Sequence, residues 1–392
     1  MIEVEEALNF IHQTAVKRTT IFTAVSSDAC GSVLADDIYA LMSLPHFAQS
    51  SMDGYALKFH NSLTYDIVGE VAAGSSNNFN LQAGQAVRIF TGAQVPDTAD
   101  AVIMQEKVVR TNSQITINEQ PSAGQNIRTV GSQIQAGALV LPKGHSLNPA
   151  SLGLLQSLGI RSIQVYQKPS VSIVLTGNEL LANGAQLQQG KVFESNSVVL
   201  EAALKQQGIE DVTILYSKDS LTETQETIQE AFKSDLVLIS GGISVGDYDF
   251  VQQALANLKV KEVFYKVRQK PGKPLFFGTK ESKIIFGLPG NPASTLNCFH
   301  IYVMPILYQF LGKKTEDASI IKTTLTTEIE NKFGRALFLK AKVEEMKSTI
   351  IDEHNSATLW SFSKANALVY VPASISFFKV GTQVTTWLIP NS

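Results

Sequence analysis

The chain has 392 residues, of which 44% are hydrophobic and 17% charged, with a formal net charge of −3. That length exceeds what a single hydrophobic core usually serves, and the mildly acidic balance excludes a bulk basic field for nucleic acid or an anionic membrane surface, so any anion site must be local. Its two cysteines, Cys30 and Cys298, lack metal-ligand spacing; both read as small core residues of a protein from a reducing compartment, expected to be cytoplasmic.

The start, MIEVEEALNFI, sets Ile2, Val4, Leu8 and Ile11 among acids as a helix, unlike the cationic start of a signal peptide. The longest apolar stretch, residues 299–311, is too short to span a bilayer and contains His300, Pro305 and Gln309. Neither membrane nor nucleic acid is expected as a partner. Past Pro45 the character changes. Asp53-Gly54 marks a turn, and residues 63–130 are short strand-like runs between Gly69, Gly74, Gly84, Gly92 and Pro96, which predicts a small, mostly β module. Within it a strand ends in a Thr91-Gly92 turn, and Arg128 supplies a cation before Gly131. A helix is predicted over 149–158, carrying Leu152, Leu154, Leu155 and Leu158, and is expected to pack beside the first 45 residues.

Residues 169–311 alternate strand and helix: a strand at 171–176, a helix after Ser195-Asn196, a strand at 212–215 and a helix capped by Ser220 with Glu223 three residues on. This pattern predicts a parallel sheet covered by helices, whose ligands bind beyond the carboxyl ends of the strands. There the sequence becomes rich in chemistry. A buried strand at 235–240 ends in a loop where Gly241, Gly242 and Gly246 frame Ser244, Asp247 and Asp249 before a helix begins. A strand over 262–268 is expected to project Lys266, Arg268 and Lys270 from one face. Lys270-Pro271-Gly272-Lys273-Pro274 then holds two lysines on a stiff turn. A further strand at 283–287 leads through Pro289, Gly290 and Asn291 into another helix, with Asn291 at the N-cap and Pro292 at the first helical position. With Thr176-Gly177-Asn178-Glu179 and Asp219 at neighbouring strand ends, carboxylates face lysines, the composition of a site that holds Mg²⁺ and phosphate together. Residues 313–392 read as strands of a separate small β domain.

Gly242-Ile243-Ser244-Val245-Gly246 also fits the G-x-S-x-G pattern of a serine-hydrolase nucleophile elbow. An elbow serine leads straight into its helix, however, whereas Asp247-Tyr248-Asp249 intervenes, and only His300 and His354 lie downstream as bases. No H-E-x-x-H, Walker A, C-x-x-C or internal repeat occurs.

Taken together, SGGISVGDYDF, KPGKP, GLPGNP, TGNEL, SSMDGYA, IFTGAQVP with ADAVIMQE, and NIR resemble the MoeA-type molybdopterin molybdenumtransferases, to which the gephyrin E domain is related. The resemblance spans nearly the whole chain. It implies insertion of molybdate into adenylylated molybdopterin with release of AMP, dependent on Mg²⁺, downstream of a MogA-type adenylyltransferase. It further implies a multidomain α/β architecture: domain I from 1–44 and 133–168, an inserted β-rich arm at 45–132, a central parallel α/β, MogA-like domain at 169–312, and a small C-terminal β-barrel at 313–392. A homodimer with sites shared between chains is implied, in which Asp53, Thr91 and Arg128 of one chain complete a site floored by Glu179, Asp219, Asp249, Lys266 and Lys270 of the other. Glu179, Asp219 and Asp249 would hold the metal. Gly241, Gly242, Ser244, Gly246, Asp247, Lys273, Pro274, Pro289, Gly290, Asn291, Lys340 and Ser356 would bind the cofactor. The sequence departs from the usual family pattern where Gly131-Ser132-Gln133 replaces Gly-Glu-Asp, where Lys340 replaces an arginine presumed to bind molybdate, and where Asn355-Ser356-Ala357 replaces Gly-Ser-Gly. A non-catalytic molybdopterin-binding scaffold or paralogue is the alternative these departures leave, with a hydrolase using Ser244 behind it.

Overall fold

The computed structural model describes residues 1–75, 79–243, 250–313, 320–351 and 359–389. Ser244, Gly246, Asp247, Asp249 and Ser356 therefore lie outside the described residues, as do Asn355 and His354. The chain forms two compact units, one of residues 1–21, 31–35 and 164–392, the other of 22–30 and 36–163.

The first unit is built on a six-stranded sheet. In chain order its elements are β1 (Val171–Thr176), α1 (Asn196–Gln206), β2 (Val212–Ser217), α2 (Leu221–Ala231), β3 (Leu236–Ser240), α3 (Phe250–Asn257), β4 (Lys261–Tyr265), β5 (Phe276–Lys280), β6 (Lys283–Leu288) and α4 (Pro292–Cys298). The strands run in the order β2, β1, β3, β6, β5, β4. The first four are mutually parallel, as helix-length crossovers dictate, and β5 and β4 extend the sheet antiparallel. Every residue of β1 and β3 is buried, and all but Ser172, Thr176 and Ser240 are apolar, the near-continuous apolar run expected of a strand covered on both faces. One face packs Leu175, Leu238, Phe277 and Phe286 against Phe299 and Ile306, while the other packs Val174 and Ile239 against Ile228 and Val251. Burying each such phenylalanine stabilises the fold by about 1.5–3 kcal/mol. Ser220 Oγ accepts from Glu223 N–H at 3.3 Å, the predicted start of α2.

The expected strand over 262–268 ends early. Lys266 has φ +66°, so the period-two alternation is broken and Lys266, Arg268 and Lys270 do not share a face. The chain turns there because the N-terminus takes hold of it: Ile2 N–H donates to Lys266 O at 3.0 Å, Arg268 N–H donates to Ile2 O at 2.8 Å, and Arg268 pairs with Glu3 at 3.1 Å. The helix Val4–Gln13 that follows buries Val4, Ala7 and Ile11 in the same core as Leu175 and Ile306. Residues 1–21 thus pack within this unit, whereas the helix Pro149–Ser157 belongs to the second, where Gln156 Nε2 donates to Val25 O at 2.5 Å.

Downstream, the strands Ile320–Leu325, Ala336–Glu344, Lys347–Ile350, Ala367–Val371 and Gln383–Leu388 close on themselves as a five-stranded barrel. A two-residue strand, Gln269–Lys270, joins it in parallel against Ala336 and Leu337. The lysine turn is therefore pinned at its root to the barrel.

In the second unit, a six-stranded sheet orders Ala101–Met104, Gly54–Leu57, Gln85–Ile89, Thr64–Val71, Gln114–Ile117 and Val108–Arg110, the predicted β module. Its two faces bury separate clusters, around Val87 and Ile89 on one side and Tyr55, Tyr65 and Ile115 on the other. The expectation for the cysteines holds for one of the two. Cys298 is fully buried, and burial pushes its thiol pKa far up, keeping it neutral. Cys30, which follows the single turn Ser27–Ala29, is an exposed residue whose thiol lies 3.9 Å from Leu147 O. No helix among the described residues is long and apolar enough to cross a membrane.

Candidate active site

At the carboxyl ends of β1, β3 and β6 lies a pocket of about 850 Å³. Three sets of loops wall it. Glu179 and Asp219 come from the loops after β1 and β2, Gly241 and Gly242 from the loop after β3, and Pro289, Gly290 and Asn291 from the loop after β6. Facing them is the turn Lys270, Pro271, Gly272, Lys273 and Pro274, with Phe333 and Arg335 beside it. The carboxylate and lysine residues expected to meet do line one cavity, as far as they are described. Lys266 is the exception: it lies outside the lining, its ammonium stacked on Tyr265 at 4.5 Å.

The acidic wall is held by its own backbone. Asn178 N–H donates to Asp219 Oδ2 at 2.9 Å, and Asp219 N–H donates back to Asn178 Oδ1 at 3.3 Å, so two loops from adjacent strands are tied together. Glu179 stays exposed next to them. Among the described residues no group of three or more His, Cys, Asp or Glu stands ready for a metal. Of the three carboxylates lining the pocket, Glu194 accepts from the Ser197 N–H and hydroxyl, while Glu179 and Asp219 nevertheless suit Mg²⁺, which takes few protein ligands and completes its shell with water and substrate phosphate.

The basic wall depends on a residue that sequence pattern alone does not single out. Gln269 is fully buried beneath the lysine turn; its Nε2 donates to Gly272 O at 3.0 Å, and its Oε1 accepts from the Tyr302 hydroxyl. Gly272 has φ +84°, and a Cβ there would meet Cys298 Sγ at 2.5 Å. Gly272→Ala is accordingly expected to cost about 1–3 kcal/mol of stability and to displace both lysines. Thermal unfolding checks the first effect and turnover the second; wild-type values in both would show that the turn tolerates a side chain. The signal that could have found Gln269 is a polar residue where a strand should continue into the barrel, readable only once the pairing is known.

Lys270 and Pro271 also line a second, smaller pocket of about 160 Å³ beside the barrel strand Ala336–Glu344, together with Phe333 and Lys340. Lys340 is 3% exposed, its ammonium bonded to Ser361 Oγ and 5.4 Å from the Phe362 ring. A single lysine turn thus borders both cavities.

The remaining expected residues lie in the other unit. Asp53 and Thr91 meet there: Asp53 Oδ1 accepts from Thr91 N–H and from Thr91 Oγ1, each at 2.8 Å. The Thr91 backbone bond, then its hydroxyl, and the charge of Arg88 hold the Asp53 carboxyl below its usual pKa. Arg128 sits on a short strand paired with Gln49, and Gly92 N–H donates to Ser50 O at 2.8 Å, so this strand and the Thr91 turn flank the same segment.

Three family models match the sequence in succession: "MoeA N-terminal region (domain I and II)" over residues 2–159, "Probable molybdopterin binding domain" over 172–309 and "MoeA C-terminal region (domain IV)" over 322–389. A Staphylococcus epidermidis protein named molybdopterin molybdenumtransferase is 32% identical over 100% of this chain and 96% of its own length. The chain belongs to the molybdopterin molybdenumtransferase family. A second member by name, from Nostoc sp., is 35% identical over 92% of this chain and 87% of its own. The crystal structure of the molybdopterin biosynthesis moea protein from Pyrococcus horikosii superposes with a TM-score of 0.87 at 28% identity, each chain covered fully. Within this molybdenumtransferase framework, the pocket at the strand ends falls inside the segment matched by the molybdopterin-binding model, except for Phe333 and Arg335, which the C-terminal model covers.

Proposed function

We propose that this chain inserts molybdate into adenylylated molybdopterin with release of AMP, a Mg²⁺-dependent step that forms the molybdenum cofactor. The observation that carries this reading is one pocket with Glu179 and Asp219 on one wall and Lys270, Lys273 and Arg335 on the other, in a chain alignable end to end with proteins named for the transfer. Glu179 and Asp219 would hold Mg²⁺, which when bound supplies neutralisation of the phosphate charge. Lys270 and Lys273 orient the anionic end of the substrate and offset charge that develops there. Lys340, inside the smaller pocket, gives molybdate a cation but not the bidentate fork of the arginine it replaces. No protein nucleophile is required, since dithiolene and water do the attacking.

The remaining features of the proposal are a cytoplasmic homodimer, division into domains at 1–44 with 133–168, 45–132, 169–312 and 313–392, and substrate supplied by a MogA-type adenylyltransferase. Each site is shared, Asp53, Thr91 and Arg128 coming from the partner chain. Incubation with adenylylated molybdopterin, Mg²⁺ and molybdate, following AMP release, tests the reading. Release that needs both ions supports it. Tight binding of molybdopterin without any AMP release would replace the transferase with a scaffold.

A further inference from the structure

Among the described residues, two buried polar atoms in the large pocket have nothing to bond to. Thr176, the last residue of β1, is 6% exposed, and its Oγ1 has no hydrogen-bond partner among the described residues. The loop after β3 passes directly over it. A Cβ on Gly241 would come within 2.9 Å of that oxygen, and one on Gly242 within 2.8 Å, so this stretch of the loop is free of side chains where it meets the hydroxyl. Asn196, the first residue of α1, is 8% exposed. Its Nδ2 donates to Ser240 Oγ and to Gly290 O, both at 2.8 Å. Because the Gly290 carbonyl can only accept, the amide cannot be turned over, and Oδ1 is the atom left without a partner.

Leaving a buried acceptor and a buried hydroxyl unpaired costs the folded protein stability, and both residues line the same cavity. The chemistry of what would satisfy them is narrow. Asn196 Oδ1 accepts only, so a phosphate or a thiolate pointed at it would be repelled. It needs an N–H or O–H donor. Thr176 Oγ1 can donate or accept. A neutral heteroaromatic edge with an N–H beside an acceptor fits the pair, while the cations that suit an anion stand on the facing wall at Lys270, Lys273 and Arg335.

Resting on the reading above, we propose that Thr176 and Asn196 receive the amino-pyrimidinone edge of the pterin, fixing which end of the substrate faces the lysine turn. The adenine amine offers related chemistry, and the pterin is preferred because both residues fall within the segment matched by the molybdopterin-binding model.

The test uses the full-length chain, with molybdopterin and AMP titrated separately by calorimetry, alongside thermal unfolding. Thr176→Val keeps the shape and removes only the unpaired hydroxyl. It should bind molybdopterin about 10-fold more weakly, bind AMP as the wild type does, and unfold at the same or a higher temperature, because a buried unsatisfied group is gone. Thr176→Ser should restore most of the affinity. A hydroxyl with a merely structural role gives the opposite pattern, a lower unfolding temperature with unchanged affinity, and that result overturns the assignment. So does a loss confined to AMP, which moves the ring to adenine. If the wild-type chain binds neither compound, the proposed function itself fails, an outcome distinct from wild-type binding that Thr176→Val leaves untouched.

Discussion

Lys270→Ala should lower molybdate-dependent AMP release by about 10²- to 10³-fold, the scale set by removing one preorganised donor that stabilises a developing negative charge. Lys270 is the cation common to the two cavities, and none of the ion pairs among the described residues uses it. Its ammonium rests 3.7 Å from the Phe333 ring, a contact worth about 0.5–1 kcal/mol at a partly exposed position. The backbone pairing of Gln269–Lys270 with the barrel survives truncation to alanine. Stability should therefore fall little while turnover collapses, and Lys270→Arg should recover part of the rate because the charge remains. Wild-type turnover in Lys270→Ala would remove the lysine turn from the chemistry.

The strand and helix order of the first unit was legible because its signals are local. The runs of β1 and β3 are apolar but for Ser172, Thr176 and Ser240; Ser220 and Glu223 mark the start of α2, and the lysine turn announces itself with two prolines around a glycine. The fate of Lys266 and Arg268 was not legible. Their alternation with Lys270 reads as one strand face, and what breaks it is the N-terminus more than 260 residues away, where Ile2 pairs with the backbone around Lys266 and Arg268 and Glu3 takes the arginine. Gln269 was hidden for a related reason: its partners Tyr302 and Cys298 lie on segments joined to it only by folding. Thr176 was visible inside TGNEL, yet that its hydroxyl would be left unbonded depends on the approach of Gly241 and Gly242. Period and composition report neighbours along the chain; unsatisfied atoms are a property of neighbours in space.

The shared-site proposal makes a prediction that no single-chain site can imitate. Asp53 is an exposed carboxylate held charged and oriented by Thr91, an expense of hydrogen bonds on a loop whose own unit supplies no lysine turn. If the partner's Lys270 stands over it in a twofold dimer, Asp53→Ala and Lys270→Ala homodimers should each be nearly inactive, since each carries its defect into both sites. Mixing them under exchange conditions gives heterodimers in which one site collects both substitutions and the other collects neither. With equal amounts and random pairing, about half the dimers are mixed and each has one intact site, so activity should return to about a quarter of the wild-type level. Differential tags on the two variants measure how many mixed dimers form. Mixed dimers as inactive as their parents would mean that each chain builds its site alone.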